Sequence, residues 1–215
     1  GGTSGCVETG AFGREAYILQ GYFNLPKILE ITLHNGWDPV GGKQLGLQLG
    51  EAEDFKSYDE LFDAYKKQIE HFADIKVKGS IMITRIYAKY MPAPFLSIIT
   101  DDCITNGKDY NAGGARYNTN YLQGVGIGTI TDSLSAIKYN VYDKKNFTMG
   151  ELMKALQDNF EGEEHVRLYN LVSRKTPKYG NDDDYVDQLI VDAYDVYINE
   201  VKKYPNTRYG RGPIG

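Results

Sequence analysis

The 215-residue chain is short of the residues that build several common kinds of site. It holds 2 cysteines, Cys6 and Cys103, and 3 histidines. Two cysteines can close at most one bridge, which excludes a disulfide framework and points to a reducing, intracellular setting. Neither has a Cys or His partner at ligand spacing, so no zinc motif is present and no metal is expected in this chain. His34, His71 and His165 each fall in a helical pattern and read as structural, which leaves a cysteine hydrolase without its base. Positive charge is also scarce, with 24 Lys and Arg against 29 Asp and Glu, and the densest basic runs are pairs such as Lys66-Lys67. No polyanion surface follows, and nucleic acid is excluded as a partner. There is no basic-then-apolar leader and no apolar run near the roughly 18 residues of a membrane span, so neither secretion nor a membrane is expected and the cytoplasm is. An initiator Met is missing too: the chain opens Gly1-Gly2-Thr3-Ser4-Gly5, as expected of a piece of a longer protein.

What the chain does have is glycine, 24 residues of it, and tyrosine, 18. Gly1 to Gly13 reads as a glycine-rich loop with Cys6 and Glu8 at its centre. Asn24-Leu25-Pro26 starts a helix that buries Ile28, Leu29 and Leu33 and stops at Asn35-Gly36. A turn-rich connector follows over 41–53. Ser57 and Glu60 form a capping box for the longest helix, with Leu61, Tyr65, Ile69, Phe72 and Ile75 on its buried stripe and Gly79 as its interior breaker. Phe95 to Ile99 fits a helix or a buried strand equally well. Val125 to Ile130 reads as a buried strand leading to a helix capped near Thr131-Asp132. Thr148 with Glu151 caps Leu152 to Phe160, and Asp183-Asp184 precedes a last helix over 185–204. Strand, loop and helix in this order give an α/β class with much helix.

Two further patterns have bland explanations. Asp182-Asp183-Asp184 lacks EF-hand spacing and sits where a helix begins, so it reads as a cap that complements the dipole. Gly124-Val125-Gly126-Ile127-Gly128 lacks the G-x-G-x-x-G spacing of a dinucleotide fingerprint, and close strand packing explains it better.

Cys6 and Glu8 are the candidates for chemistry. A lone cysteine is most often a small buried apolar residue, and that reading stands beside the reactive one. At i and i+2 of an extended segment the thiol and carboxyl point to one side, about 6–7 Å apart, with room for a small substrate to touch both. The thiol offers a nucleophile or a hydrogen atom, and the acid offers a proton to a leaving group.

Gly5-Cys6-Val7-Glu8 resembles the cysteine loop of the glycyl radical enzymes, a pyruvate formate-lyase-like family, in its subgroup of dehydratases and lyases. The segments Asp109 to Tyr117 (DYNAGGARY), Gly124 to Gly128 (GVGIG) and Thr176 to Asp184 (TPKYGNDDD) are similar to the same subgroup in the same order, so the resemblance covers nearly the whole chain. Thr9-Gly10 stands where choline and diol lyases usually carry a proline. The resemblance implies part of a ten-stranded α/β barrel with surrounding helices, all 215 residues being one fragment of that domain. Residues 1–23 would be the cysteine loop and adjoining segment, and residues 24–215 helices and strands of the half-barrel. It implies Cys6 as the thiyl-radical residue, Glu8 as acid and base, and Tyr22 in the substrate pocket. The implied cofactor is a glycyl radical on a glycine outside this chain. The implied partners are a small-molecule substrate, a radical S-adenosylmethionine activating enzyme carrying the 4Fe-4S cluster, and a second copy in a homodimer. The family stores its radical in a C-terminal Arg-Val-x-Gly-[Tyr/Phe/His] loop, which Arg208-Tyr209-Gly210-Arg211-Gly212-Pro213 does not match, so the glycyl radical domain is absent and these residues alone are expected to be inactive. A non-catalytic binding module that keeps the loop is the reading of a different class.

Overall fold

In a computed structural model of the chain, the described residues are 2–4, 8–206, 208 and 214, with the backbone alone for 2–4, 8–9 and 17–20. The strands are β1 (Gly2–Ser4), β2 (Glu8–Gly10), β3 (Glu15–Asn24), β4 (Trp37–Asp38), β5 (Lys43–Gln44) and β6 (Tyr117–Val125). The principal helices are α1 (Leu25–Leu33), α2 (Tyr58–Tyr90), α3 (Pro94–Ile99), α4 (Cys103–Asn106), α5 (Ile127–Ile137), α6 (Met149–Gln157), α7 (Val166–Asn170) and α8 (Asp184–Val201). Three two-stranded pairings occur among them: β1 with β2, β3 with β6, and β4 with β5. The chain divides into two compact units, one made of residues 1–23, 73–123 and 198–215, the other of 24–72 and 124–197.

The unit of 24–72 and 124–197 is helical. Asn24 caps α1 by accepting the Lys27 N–H at 3.1 Å, Pro26 occupies the first turn, and Asn35 and Gly36 end the helix at φ of 49° and 84°. α2 begins as the capping pattern predicts, Ser57 Oγ accepting the Glu60 N–H at 3.2 Å, while the Glu60 carboxylate closes on the Lys56 N–H at 2.7 Å. Leu61, Tyr65 and Ile69 are fully buried with Leu25, Ile130, Leu134 and Val186. Each such side chain contributes about 1.5–3 kcal/mol of burial. Asp183 caps α8 by accepting the Tyr185 N–H at 3.0 Å, and Val186, Leu189, Ala193 and Tyr197 form the buried stripe of that helix.

Sequence reasoning missed two π-helical turns, residues 138–143 and 171–175. Asn140 explains the first. Its buried amide donates to Ala136 O at 3.0 Å and to Thr176 Oγ1 at 2.7 Å, and accepts from Asn146 Nδ2 at 2.9 Å. A buried amide that needs three partners holds the backbone open at the end of α5.

In the other unit, three expectations change. The glycine-rich segment Gly1 to Gly13 is a hairpin rather than a loop alone, with β1 antiparallel to β2 and Ser4 opposite Glu8. The buried stripe of α2 does not run on through Ile75, which is 51% exposed; it moves to Ala73, Val77, Ser80 and Thr84. Ile75, Met82, Ile83, Ile86 and Tyr90 form a second apolar stripe that these residues leave open, next to a charged side with Asp74, Lys78, Arg85 and Lys89. The ambiguous run at Phe95 is helix α3, which Pro94 starts, and none of its residues is buried; Phe95 is 84% exposed. A fourth correction concerns the strand placed at Val125 to Ile130. The strand is upstream, at Tyr117–Val125, and α5 starts directly at Ile127 because Gly126 turns the chain at φ 89°. Thr131 does not cap that helix; its hydroxyl donates to Ile127 O at 2.8 Å.

The glycines of the shared segments are there for space. A Cβ on Gly126 would lie 2.5 Å from the Pro26 ring, and one on Gly114 only 2.0 Å from the Lys108 carbonyl oxygen. Gly79, by contrast, has nothing within 4 Å of its Cβ position. Gly114→Ala is therefore expected to lower the stability of the chain by roughly 1–3 kcal/mol, and Gly79→Ala to raise it by about 0.5–1 kcal/mol through helix propensity. Urea unfolding curves of the two variants should move in opposite directions.

Candidate active site

β1 and β2 set the frame of the cysteine loop. Their register pairs Gly2 with Gly10, Thr3 with Thr9 and Ser4 with Glu8, so three residues, Gly5, Cys6 and Val7, connect the strands. Cys6 lies outside the described residues. Glu8 opens β2, and its backbone is described without its side chain. Tyr22 stands on β3, 63% exposed, while its neighbour Phe23 points to the opposite face and is buried.

The base of the hairpin is held by a polar network. Arg14 and Glu15 N–H groups both donate to Ala11 O, at 2.9 and 3.1 Å, and Gly13 turns at φ 69°. The Gly13 carbonyl accepts the Asp101 N–H at 2.6 Å, and Arg14 O accepts the Tyr117 N–H at 3.0 Å. The Glu15 carboxylate spans three segments. One oxygen, Oε2, accepts the Ala11 N–H at 2.9 Å; the other, Oε1, accepts Thr119 Oγ1–H at 2.6 Å and Tyr121 O–H at 3.3 Å from β6. Asp101 and Asp102 add ion pairs. Arg14 Nε lies 3.2 Å from Asp101 Oδ2, and Arg116 grips Asp102 with Nε at 3.0 Å and Nη2 at 2.9 Å. The hydrogen-bonded Arg116 holds the Asp102 carboxyl below the usual carboxylate range, and Asp102 in turn raises the Arg116 guanidinium.

The segment Asp109 to Tyr117 is scaffold. Burial pushes the Asp109 carboxyl up, but hydrogen bonds outweigh it and leave it below its ordinary value: Oδ1 accepts the Asn111 N–H at 2.8 Å, and Oδ2 accepts Ser97 Oγ–H and the Ala93 N–H, each at 2.8 Å. One side chain thereby fixes the start of α3 and the turn at 110–112. Cys103 is 2% exposed among Ala16, Ala115 and Tyr110, and burial pushes its thiol up, as a packing role requires.

The other shared segments are also structural. Tyr194 O–H donates to Gly124 O at 2.9 Å, and the Gly124 Cβ position lies 3.0 Å from the Tyr197 ring, which leaves no phosphate cradle. Pro177 O accepts Ser135 Oγ–H at 2.8 Å, and Asp132 accepts the Tyr179 N–H at 2.9 Å. The histidines are satisfied locally: His34 Nδ1 is 2.8 Å from Glu30 O, His71 Nε2 3.3 Å from Leu45 O, and the buried His165 Nε2 2.9 Å from Asp158 Oδ2. Among the described residues no group of three His, Cys, Asp or Glu converges as a metal would require, and no helix is long and apolar enough to cross a membrane. A broad groove of about 1460 Å³ in the second unit is lined by Leu29, Leu33, Trp37, Val40, Leu156 and Phe160, and holds none of the candidate residues. Arg208 is buried, burial pulls its guanidinium down, and it donates to Tyr110 O at 3.2 Å, while 209–213 lie outside the described residues.

The β1–β2 pairing that flanks Gly5-Cys6-Val7 in sequence, and the β3–β6 pairing that follows it, can be set beside known proteins. The chain belongs to the pyruvate formate lyase-like family, whose family model matches residues 1–213. It is 62% identical over 205 residues to trans-4-hydroxy-L-proline dehydratase of Clostridioides difficile, covering 95% of this chain and 26% of the relative. It is 35% identical over 208 residues to (2S)-3-sulfopropanediol dehydratase of Klebsiella oxytoca, covering 96% and 25%. Among solved structures it matches C. difficile hydroxyproline dehydratase with trans-4-hydroxy-L-proline bound, at TM-score 0.91 and 59% identity, over 99% of this chain and 26% of that one. The fold is that of the glycyl radical enzymes, as the resemblance implied, and the chain spans about a quarter of the length of the curated relatives it matches.

The Asp109 network gives a pH-dependent expectation. Because its carboxyl is lowered in the folded state, its stabilisation is fully present above the unfolded value, about 3.9, and is lost as pH falls through the folded one. Asp109→Asn is expected to cost about 1–2 kcal/mol at pH 7 and less at pH 3, measured as urea midpoints at the two values.

Proposed function

We propose that the chain is part of a radical dehydratase, a carbon–oxygen hydro-lyase that removes water from trans-4-hydroxy-L-proline to give 1-pyrroline-5-carboxylate. The reading rests on the 62% identity to the C. difficile dehydratase, and the Gly5-Cys6-Val7-Glu8 sequence supports it. The residues 1–215 are one fragment of the barrel domain. The unpaired electron comes from a glycyl radical on a glycine outside these residues, installed by a radical S-adenosylmethionine activating enzyme with its 4Fe-4S cluster.

Cys6, as the thiyl, takes a hydrogen atom from the carbon beside the ring nitrogen, so that an S–H bond forms as a C–H bond breaks. Glu8 gives its proton to the departing hydroxyl, which leaves as water, and takes a proton back as the carbon–nitrogen double bond forms. The Cys6 S–H then returns its hydrogen atom to the ring and is again the thiyl. Glu8 must be protonated to begin, which a dry pocket favours, and water must be kept from the carbon radical. Tyr22, on the exposed face of β3, is a pocket residue for substrate. The enzyme works in the cytoplasm as a homodimer. A second reading is another glycyl radical lyase, acting on a diol or on choline, which the 35% identity to the sulfopropanediol enzyme keeps open.

The test is anaerobic activation of the full-length protein with its activating enzyme, then assay of trans-4-hydroxy-L-proline against glycerol, 1,2-propanediol and choline. Turnover of the hydroxyproline alone is the expected outcome. Cys6→Ser is expected to abolish it and Glu8→Gln to lower it by roughly 10²–10⁴, while Cys103→Ser leaves it largely intact. Activity surviving in Cys6→Ser would sink the mechanism.

A further inference from the structure

We infer that Glu15 is a positioning residue for the cysteine hairpin, holding β2 in register with the substrate side of the site through its hydrogen bond to the Ala11 N–H. The inference rests on the reading of Cys6 and Glu8 as the reacting pair. Glu15 sits five residues after the end of β2 and is the first residue of β3. Its carboxylate ties the residue that follows β2 to Thr119 and Tyr121, more than 100 positions away on β6. Ala11 O is held within the turn by the N–H groups of Arg14 and Glu15, while the other restraints that reach distant segments, Gly13 O to Asp101 N and Arg14 O to Tyr117 N, act two and three residues further from the hairpin. The Glu15 to Ala11 bond is therefore the side-chain contact nearest to β2 among these restraints, and it ends on β6, a strand paired with β3.

The Ala11 N–H can only donate, so the side chain at position 15 must present an acceptor to it, while the Thr119 and Tyr121 hydroxyls rotate to donate or to accept. Glutamine meets all three partners, its carbonyl on the Ala11 N–H and its amide donating to the hydroxyl oxygens. Leucine has a similar length and meets none. Glu8 is three residues from Ala11, so a shift at the base is carried along the short strand to the acid and the thiol. A misplacement of about 1 Å costs up to roughly a hundredfold in rate when reacting atoms must meet at 3–3.5 Å.

The experiment uses activated full-length protein carrying Glu15→Leu, Glu15→Gln, Thr119→Val, or Glu15→Leu with Thr119→Val, with Cys6→Ser as the control. The glycyl radical is read by electron paramagnetic resonance, and kcat and KM for trans-4-hydroxy-L-proline are measured. For Glu15→Leu the expected result is radical yield and melting temperature like the parent, kcat lower by about 10- to 100-fold, and KM within about threefold, while Glu15→Gln restores kcat to within about threefold of the parent. Because both residues act through one clamp, the double variant should lie within about twofold of the worse single one. A Glu15→Leu enzyme with kcat within threefold of the parent overturns the inference. So does one whose radical yield, melting temperature and kcat fall together, which marks a general structural role, and so do effects that multiply in the double variant. If Cys6→Ser retains turnover, it is the reading of the reacting pair that fails.

Discussion

Between Tyr90 and Tyr117 the chain holds only short helices, and the backbone N–H groups at their starts and in the connections need acceptors from elsewhere. Carboxylates supply them. Asp109 receives two backbone N–H groups and a hydroxyl, and Glu15 receives the N–H that follows the hairpin. Asp101 donates its own N–H to Gly13 O while its side chain meets Arg14. Each of these replaces a ladder bond that a strand or helix would have provided, and a buried backbone group left without one costs about as much as a lost hydrogen bond. The residues that follow β2 are thus tied down by carboxylate side chains together with isolated backbone bonds to 101 and 117.

That arrangement separates two kinds of constraint within the family pattern. Gly114, Gly126, Asp109, Thr176 and Asp183 are fixed by contacts only a few ångströms away, which gives each a structural reason to be the residue it is. Gly5, Cys6, Val7 and Glu8 are the residues to which the proposed function assigns the chemistry. The match to enzymes at 35% and at 62% identity is therefore first a statement about scaffold, and the substrate question falls to the few side chains that face it.

The helices were legible where a local rule decides them. Asn24, Ser57, Thr148 and Asp183 are caps that act within three residues, and each start was found to within one or two positions. What could not be read needed a partner distant in sequence. The hairpin at Gly2 to Gly10 has no alternating apolar pattern, since its pairing runs between glycines, threonines and a Ser with a Glu. The strand Tyr117–Val125 hides behind Asn and Thr side chains whose burial depends on packing; Asn120 is 2% exposed. Asn140 looks like an ordinary polar helix residue until Thr176 is beside it. The pair Cys6 and Glu8 was proposed from spacing and family likeness, whereas the Glu15 network could not be read, because nothing in its neighbourhood shows that Thr119 and Tyr121 will meet it.

The open stripe of α2 and the bare helix α3 bear on how these residues behave in a test tube. Met82, Ile86, Tyr90, Phe95, Ile98 and Ile99 each leave much of their apolar surface in solvent, and apolar area in water drives association wherever two such surfaces can meet. Prepared apart, the 215-residue chain would have a ceiling on concentration set by those side chains, reached sooner in sulfate or phosphate, which strengthen burial, and later in dilute urea. A cloud point that tracks the salt series in this order is then a property of the end of α2 and of α3 rather than of the fold as a whole.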